Sequence, residues 1–457
     1  MNVLEMSRHR IRIYQGIERL IWLYFWLLIF EGALRKWVLP SAANILLIVR
    51  DPVVILVYFY AWRVGLFPRN KYILFGALIG ALTFFLGLIA TGGSLLIVLY
   101  GFRAHFLQIP MIFIIAKVLQ KKHVDAIGYW ILILSAPMAL LMAVQFISPA
   151  NSFINAGSDE KFSQIGSAMG HIRAAGTFSF ISGPIFFYPL VAVFISYNQI
   201  HKIYSPFVTA MALVGLVVGS AMSGSRSVVV SVAAVFFVAF AFVISQKSQL
   251  AVKWLSGLGA LVIVFLLARS FPIVQMSLDV FSQRVNEASG SEGGAGGFFA
   301  RIGESLGGGA YRGLLDSPLI GHGLGVGTNG GAALATGKVG FLLAEVEWER
   351  IILESGPFFG MAFILYRLSL CFLLLRVSFG QAVRKDPLPL LILSSCIFNV
   401  ANGNWGQPTA LGFAVFCSGL CLAAAGTSGN RNRAKKSRST ANYRAPISTS
   451  TLSGVPS

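Results

Sequence analysis

"KYILFGALIGALTFFLGLIA", residues 71–90, is a twenty-residue run whose one charge stands at its first position. At about 1.5 Å per residue it makes a helix about 30 Å long, the thickness of a bilayer's hydrocarbon core. Comparable windows recur along almost the whole chain, at roughly 18–36, 43–62, 72–90, 94–116, 127–148, 178–197, 206–222, 227–245, 253–270, 356–377, 387–401 and 408–425. The 457 residues are 56% hydrophobic and 12% charged, with a mean hydropathy of +0.74. That composition lies outside the soluble globular range. The alternation of a β-barrel is absent, and lipid-facing backbone must satisfy its own hydrogen bonds, so helices are the spanning element. The expected fold is an all-α polytopic membrane protein with about twelve transmembrane helices. Arg50 and Asp51 interrupt the second window and Arg103 and His105 the fourth, which predicts broken helices lining a polar cavity. The basic start "SRHRIRIYQGIERL" leads into an apolar segment too long for a signal-peptide core and without a small-residue cleavage site, so no cleaved leader is expected.

A net charge of +19 raises the question of nucleic acid. Its distribution answers it. With the N-terminus in the cytoplasm, Arg8, Arg10, Arg12 and Arg19, then Arg63, Arg69 and Lys71, then Lys117, Lys121 and Lys122, then Lys202, Lys247, Lys253, Arg376, Arg384 and Lys385 all fall on the inner side. The tail "RNRAKKSR" and Arg444 fall there too. This is the positive-inside pattern, without the aromatic interleaving of a nucleic-acid surface. Cys371, Cys396, Cys417 and Cys421 lie inside the apolar windows and read as packing residues rather than a disulfide or zinc framework.

The expected organisation is a basic cytoplasmic N-terminus at 1–17, nine helices over 18–270, a periplasmic loop subdomain at 271–355, three helices over 356–425 and a disordered basic cytoplasmic tail at 426–457. A shorter outer loop covers about 149–176. The long one begins with "IVQMSLDVFSQRVNEA", where Val274, Leu278, Phe281 and Val285 recur at helical spacing. It then passes "GSEGGAGG", a flexible break.

The informative basic residues are those on the translocated side: Arg35, Lys36, Arg103, Arg173, Arg226, Arg301, Arg312 and Arg350. At membrane depth an arginine needs an anionic partner, and its planar fork suits phosphate oxygens. Glu31 and Arg35, four apart, can neutralise each other on one helix. Arg173 in "HIRAAGTF" and Arg226 in "SGSRS" have no acidic neighbour in sequence, and sit among small residues whose N–H and hydroxyl groups could add donors toward an anion. "GHGLGVGTNGG", 321–331, lacks the Lys-Ser/Thr of a phosphate-binding loop and reads as a turn, with His322 a candidate proton acceptor.

"EVEWERIILESG", 345–356, is the acidic counterpart. On a helix Glu347, Arg350 and Glu354 share one face, and Glu345 and Glu349 form a second pair. Arg350 can neutralise one glutamate and leave another to act as a general base at a partly dry surface. Acidic residues in a helix's first turn are also favourable without any function, which accounts for Glu345 better than for Glu347 or Glu354.

Four stretches together resemble the O-antigen ligase and O-antigen polymerase superfamily of bacterial membrane glycosyltransferases. They are "RAAGTF" opening a span, "SGSRS" between two spans, "SPLIGHGLGVG" in the long outer loop, and "ERIILESGPFFG", which is similar to the family's Glu-x-Gly-x-x-x-Gly helix. "FEGALRKWVLP" followed by "IVRDPVV" resembles the opening of some polysaccharide-polymerase-like members. The resemblance covers roughly residues 95–425 and implies a GT-C-like O-antigen ligase fold in the bacterial inner membrane, both termini cytoplasmic. It implies a metal-independent, cofactor-free inverting transfer of a glycan from undecaprenyl pyrophosphate to an acceptor hydroxyl, a glycan or lipid A core, on the periplasmic side, with chain-length or export proteins as further partners. Carried over, Arg173 and Arg226 would hold the pyrophosphate, with Arg103, Arg312 and Arg350 as further anion ligands. The family's histidine near the final helix is missing, since no histidine occurs between residues 323 and 457. Glu347, Glu345 or His322 would then take the proton.

Polymerisation of an exopolysaccharide or O-antigen is favoured over ligation by that missing histidine. A metal-dependent lipid-phosphate-sugar transferase would want acidic ligands in the first outer loop, "RKWVLPSAAN", which has none. A transporter or flippase of lipid-linked glycan is the non-enzyme alternative, with Arg50, Asp51 and Arg103 along a substrate path.

Overall fold

The computed structural model describes residues 3–157, 171–246, 248–292, 300, 303–337 and 342–442. It is helical, with no strand among the described residues. In chain order the helices are α1 (Val3–Ala33), α2 (Arg50–Arg63), α3 (Lys71–Ala90), α4 (Leu95–Val118), α5 (Lys121–Ile147), α6 (Ser182–His201), α7 (Pro206–Met222) and α8 (Arg226–Gln246). They continue with α9 (Ser248–Arg269), α10 (Pro272–Glu292), α11 (Gly309–Asp316), α12 (Asn329–Thr336), α13 (Glu347–Val383), α14 (Leu388–Asn402) and α15 (Pro408–Asn442).

Helix occupies each of the twelve apolar windows, but fewer are long and apolar enough to cross a membrane. Among the described residues seven qualify, α3, α4, α5, α6, α8, α13 and the Pro408–Gly426 part of α15, or nine if two bent pairs each count as one span. The reasons are geometric. With 17 and 15 residues, α7 and α14 reach only about 26 and 23 Å. In α1 the apolar stretch runs from Leu20 to Phe30 between Arg19 and Glu31, about 17 Å.

The second window is bent by 41° between Pro40–Leu46 and Arg50–Arg63. The fourth stays one helix, passing its charges through a π-helical turn at Arg103–Leu107. The ninth turns by 99° into α10, where Pro272 occupies the first turn. On α10 Val274, Ser277 and Val280 are buried among the described side chains, and Leu278 and Phe281 of the predicted stripe are half-buried. α15 runs on as helical backbone to Asn442. Residues 443–457, Arg301 and most of "GSEGGAGG" lie outside the described residues.

At the centre of the bundle is α6, buried from Phe187 to Asn198. The four cysteines are buried and free, and Cys421 Sγ lies 3.2 Å from Ser378 Oγ between α15 and α13. The long loop between α10 and α13 folds back over the start of α13, carrying α11 and α12.

Candidate functional site

The geometry is organised by a break in α13. Pro357 has no N–H to give the Leu353 carbonyl, and its ring obstructs the preceding turn. Gly356 absorbs the break at φ 79°, ψ 165°, a conformation open essentially to glycine alone. The orphaned carbonyls are claimed by the outer loop. The His322 N–H donates to Leu353 O at 2.8 Å and the Gly323 N–H to Glu354 O at 3.0 Å, while Ser317 Oγ donates to Ile352 O at 2.9 Å. The two arms, 347–355 and 357–383, double back so closely that a Cβ on Gly360 would stand 2.6 Å from Ile352 Cα. Thus each fixed residue of the Glu-x-Gly-x-x-x-Gly motif has a local reason, and "SPLIGHGLGVG" is the loop that caps the break.

Glu354, the first residue of that motif, belongs to a buried charge cluster. Arg350 sits between two glutamates, its Nε and Nη2 at 3.0 and 2.7 Å from Glu347 Oε2 and its Nη1 at 2.7 Å from Glu354 Oε1. From the far arm, Arg367 Nη1 donates to Glu347 Oε1 at 2.8 Å. The rest of the Arg367 fork donates to the carbonyls of Val400, Asn399 and Gly403, and its face lies 4.0 Å over the Trp405 ring. His105, arriving from α4, places Nε2 3.0 Å from Glu354 Oε2. Glu347, Arg350, Glu354, Arg367 and His105 are all buried. Two carboxylates face two guanidiniums, a balance that buried charge requires. Both Glu347 oxygens accept from arginines.

A second cluster lies on the other side of α4. Glu31 accepts from Arg50 Nε at 2.9 Å and lies 3.9 Å from Arg35 Nη1. Asp51 pairs with Arg103 and accepts from Gln108 Nε2 at 2.7 Å, and Tyr24 donates to Gln108 Oε1 at 2.7 Å. Arg35 also donates to Ala43 O and Ser179 Oγ, and Lys36 Nζ to Gly176 O and Phe178 O at 2.7 and 2.8 Å. Among the described residues two carboxylates here meet three arginines, with Lys36 as a fourth basic group. The π-helical turn joins the two clusters. Arg103 and His105 are two positions apart and so point to opposite sides of the helix.

"FEGALRKW", "IVRDPVV" and "RAAGTF" therefore interlock. Thr177 Oγ1 donates to Ile29 O at 2.7 Å, and the Gly176 N–H donates to Gln145 Oε1 at 2.8 Å. The hydroxyl expected to face an anion is spent on holding the fold. In "SGSRS" likewise, Ser223 Oγ donates to Ser220 O and accepts from the Ser225 N–H. Arg173 stands half-buried at the front of "RAAGTF", and Arg226 half-buried at the first residue of α8.

Of the remaining sequence candidates, Arg312 is bound by Glu304 and by Glu349 Oε2, the latter at 2.8 Å, on the exposed face of α11. Those two carboxylates hold its guanidinium above its ordinary pKa. Glu345 and His322 are exposed. Structure thus brings Glu347 and Arg350 together, ties the His322 backbone to the same break, and pairs Arg103 and Arg312 with local acids. Arg367 and Trp405 were not singled out in the sequence. An arginine midway along the apolar window 356–377 was the available signal for the first.

Compared with known proteins, the chain matches no family model and no curated protein.

Proposed function

We propose that the protein is a membrane glycosyltransferase of the O-antigen ligase and polymerase type, moving a glycan from undecaprenyl pyrophosphate to an acceptor hydroxyl in O-antigen or exopolysaccharide synthesis. The observation that carries the reading is that the resembling stretches other than "SGSRS" gather on either side of one π-helical turn, with basic groups outnumbering carboxylates on one side among the described residues. π-Helical turns of this kind are frequent at functional sites.

In this reading the acceptor oxygen attacks the anomeric carbon as the bond to the pyrophosphate oxygen breaks. Arg173 and Arg226 stabilise the charge that develops on the leaving pyrophosphate. Arg103 is held by Asp51 and Leu47 O. Glu345 and His322, the exposed candidates, are the groups open to accept the acceptor's proton. Glu347 and Arg350 support the wall behind them.

The test is transfer by purified protein from undecaprenyl-pyrophosphate-linked glycan to acceptor. Product should form, and Arg226→Ala should lower its rate steeply at unchanged protein stability. Full activity in that variant, or no product from the wild type, overturns the reading. The alternative of a flippase draws on the break in α13 beside buried charges, a feature of transporter helices. It gains if the wild type makes no product but moves the lipid-linked glycan across proteoliposomes.

A further inference from the structure

The apolar surface of the ninth window does not stop where α9 does. In the C-terminal half of α9, Val262, Ile263, Leu266 and Leu267 are exposed, and beyond the 99° bend the exposed apolar surface continues through Phe271, 63% exposed, to Met276 on α10. With α9 crossing the bilayer, a turn of 99° sends α10 along the bilayer surface. The helix is fixed there on the end of α7. Ser277 Oγ donates to Ala221 O at 2.7 Å, and Val274 and Val280, one turn to either side, are buried.

At about 100° per residue, Val274, Ser277 and Val280 take up about 120° of the circumference of α10. The apolar arc is wider than that packing face. Met276 lies beyond Val280 on one side and Leu278 beyond Val274 on the other, which extends the arc to about 200°. Gln275, Asp279, Ser282 and Asn286, all exposed, share the remaining arc. Water on every side would leave Phe271 and Met276 unfavourably wetted, and hydrocarbon on every side would strand Asp279. A helix with an apolar flank and a polar edge fits the boundary between headgroups and acyl chains. We propose that α10 is an interfacial helix, lying at headgroup depth in the leaflet nearest the α9–α10 bend, with Phe271 and the Met276 flank among acyl chains and the Asp279 edge in water. Continuity with the exposed apolar residues of α9 is what identifies lipid as the cover of that flank.

The test is nitroxide labelling of Met276→Cys and Asp279→Cys in the full chain, reconstituted into phosphatidylcholine vesicles. Collisions of each label with oxygen, which concentrates in hydrocarbon, and with a water-soluble nickel chelate are read by power-saturation electron paramagnetic resonance. The four native cysteines are buried, and the identically treated wild type measures what they contribute. The oxygen-to-nickel collision ratio at 276 should be several-fold higher than at 279. Both substituted positions are exposed, and melting curves report that the variants are folded. Phe271→Cys, at the bend and outside the contact with α7, repeats the lipid-side measurement and should match 276. Nickel-dominated collisions at 271 and 276 would place α10 in water and overturn the proposal. Oxygen-dominated collisions at 279 would make α10 a re-entrant segment and overturn it too. So would labels at 271 and 276 that meet neither reagent, since protein rather than lipid would then cover the flank, whether the 293–303 segment or a second copy. No glycan enters the measurement, so its failure and that of the transferase reading are told apart.

Discussion

Arg367 donates to Glu347 at 2.8 Å although the two are twenty positions apart in one helix. In an unbroken helix that separation is about 30 Å. The ion pair therefore exists only because α13 doubles back at Gly356, and it closes the fold it depends on.

Removing one partner of such a buried pair leaves the other uncompensated, at a cost of about 3–5 kcal/mol. Arg367→Met should lower the unfolding free energy of the detergent-solubilised protein by that amount. Arg367→Lys should rescue little, since a lysine cannot serve Glu347 and three backbone carbonyls with a planar fork. A wild-type melting curve for Arg367→Met would show that the pair contributes nothing.

Gly356→Ala forces a Cβ into a backbone region reserved for glycine, and should cost about 1–3 kcal/mol. Limited proteolysis should then cut the loop at 317–328 faster, because the carbonyls that anchor it move with the break. An unchanged cleavage pattern with lowered stability would separate the loop from the break.

Arg312 offers a contrast. Its partners Glu304 and Glu349 are part-exposed and the guanidinium is solvated, so Arg312→Ala should leave the denaturation midpoint within experimental scatter of the wild type. A larger loss in a denaturation series would give α11 a structural role that its exposure does not suggest.

For catalysis, the base should reveal itself by a split between turnover and folding. Under the proposed reaction, Glu345→Gln or His322→Asn should reduce kcat about 10²- to 10⁴-fold with little change in donor KM. Glu347→Gln should instead reduce the yield of folded protein. Intact folding with a selective loss of kcat in Glu347→Gln would return the proton to Glu347.

Much of this was readable in advance, and the remainder had a common cause. Window length located every apolar helix, and the spacing of Glu347, Arg350 and Glu354 put them on one face, where the structure finds them paired. The apolar window 356–377 also begins at the Gly-Pro step where α13 breaks. What escaped was pairing across distance. Nothing near Glu354 in sequence indicates His105, 249 positions away, and nothing near Asp51 indicates Arg103. Local periodicity says which face a residue occupies, but not which helix lies opposite. Of the twelve windows, seven to nine give helices long and apolar enough to cross a membrane among the described residues. Hydropathy rates α1, α7 and α14 by composition, whereas their reach depends on where charges and turns cut them short.

The π-helical turn at Arg103–Leu107 has a mechanical meaning. Rotating α4 by a single residue, about 100°, would withdraw Arg103 from Asp51 and His105 from Glu354 together. The helix behaves as a shaft keyed on two sides, so a disturbance at either cluster is felt at the other as torque.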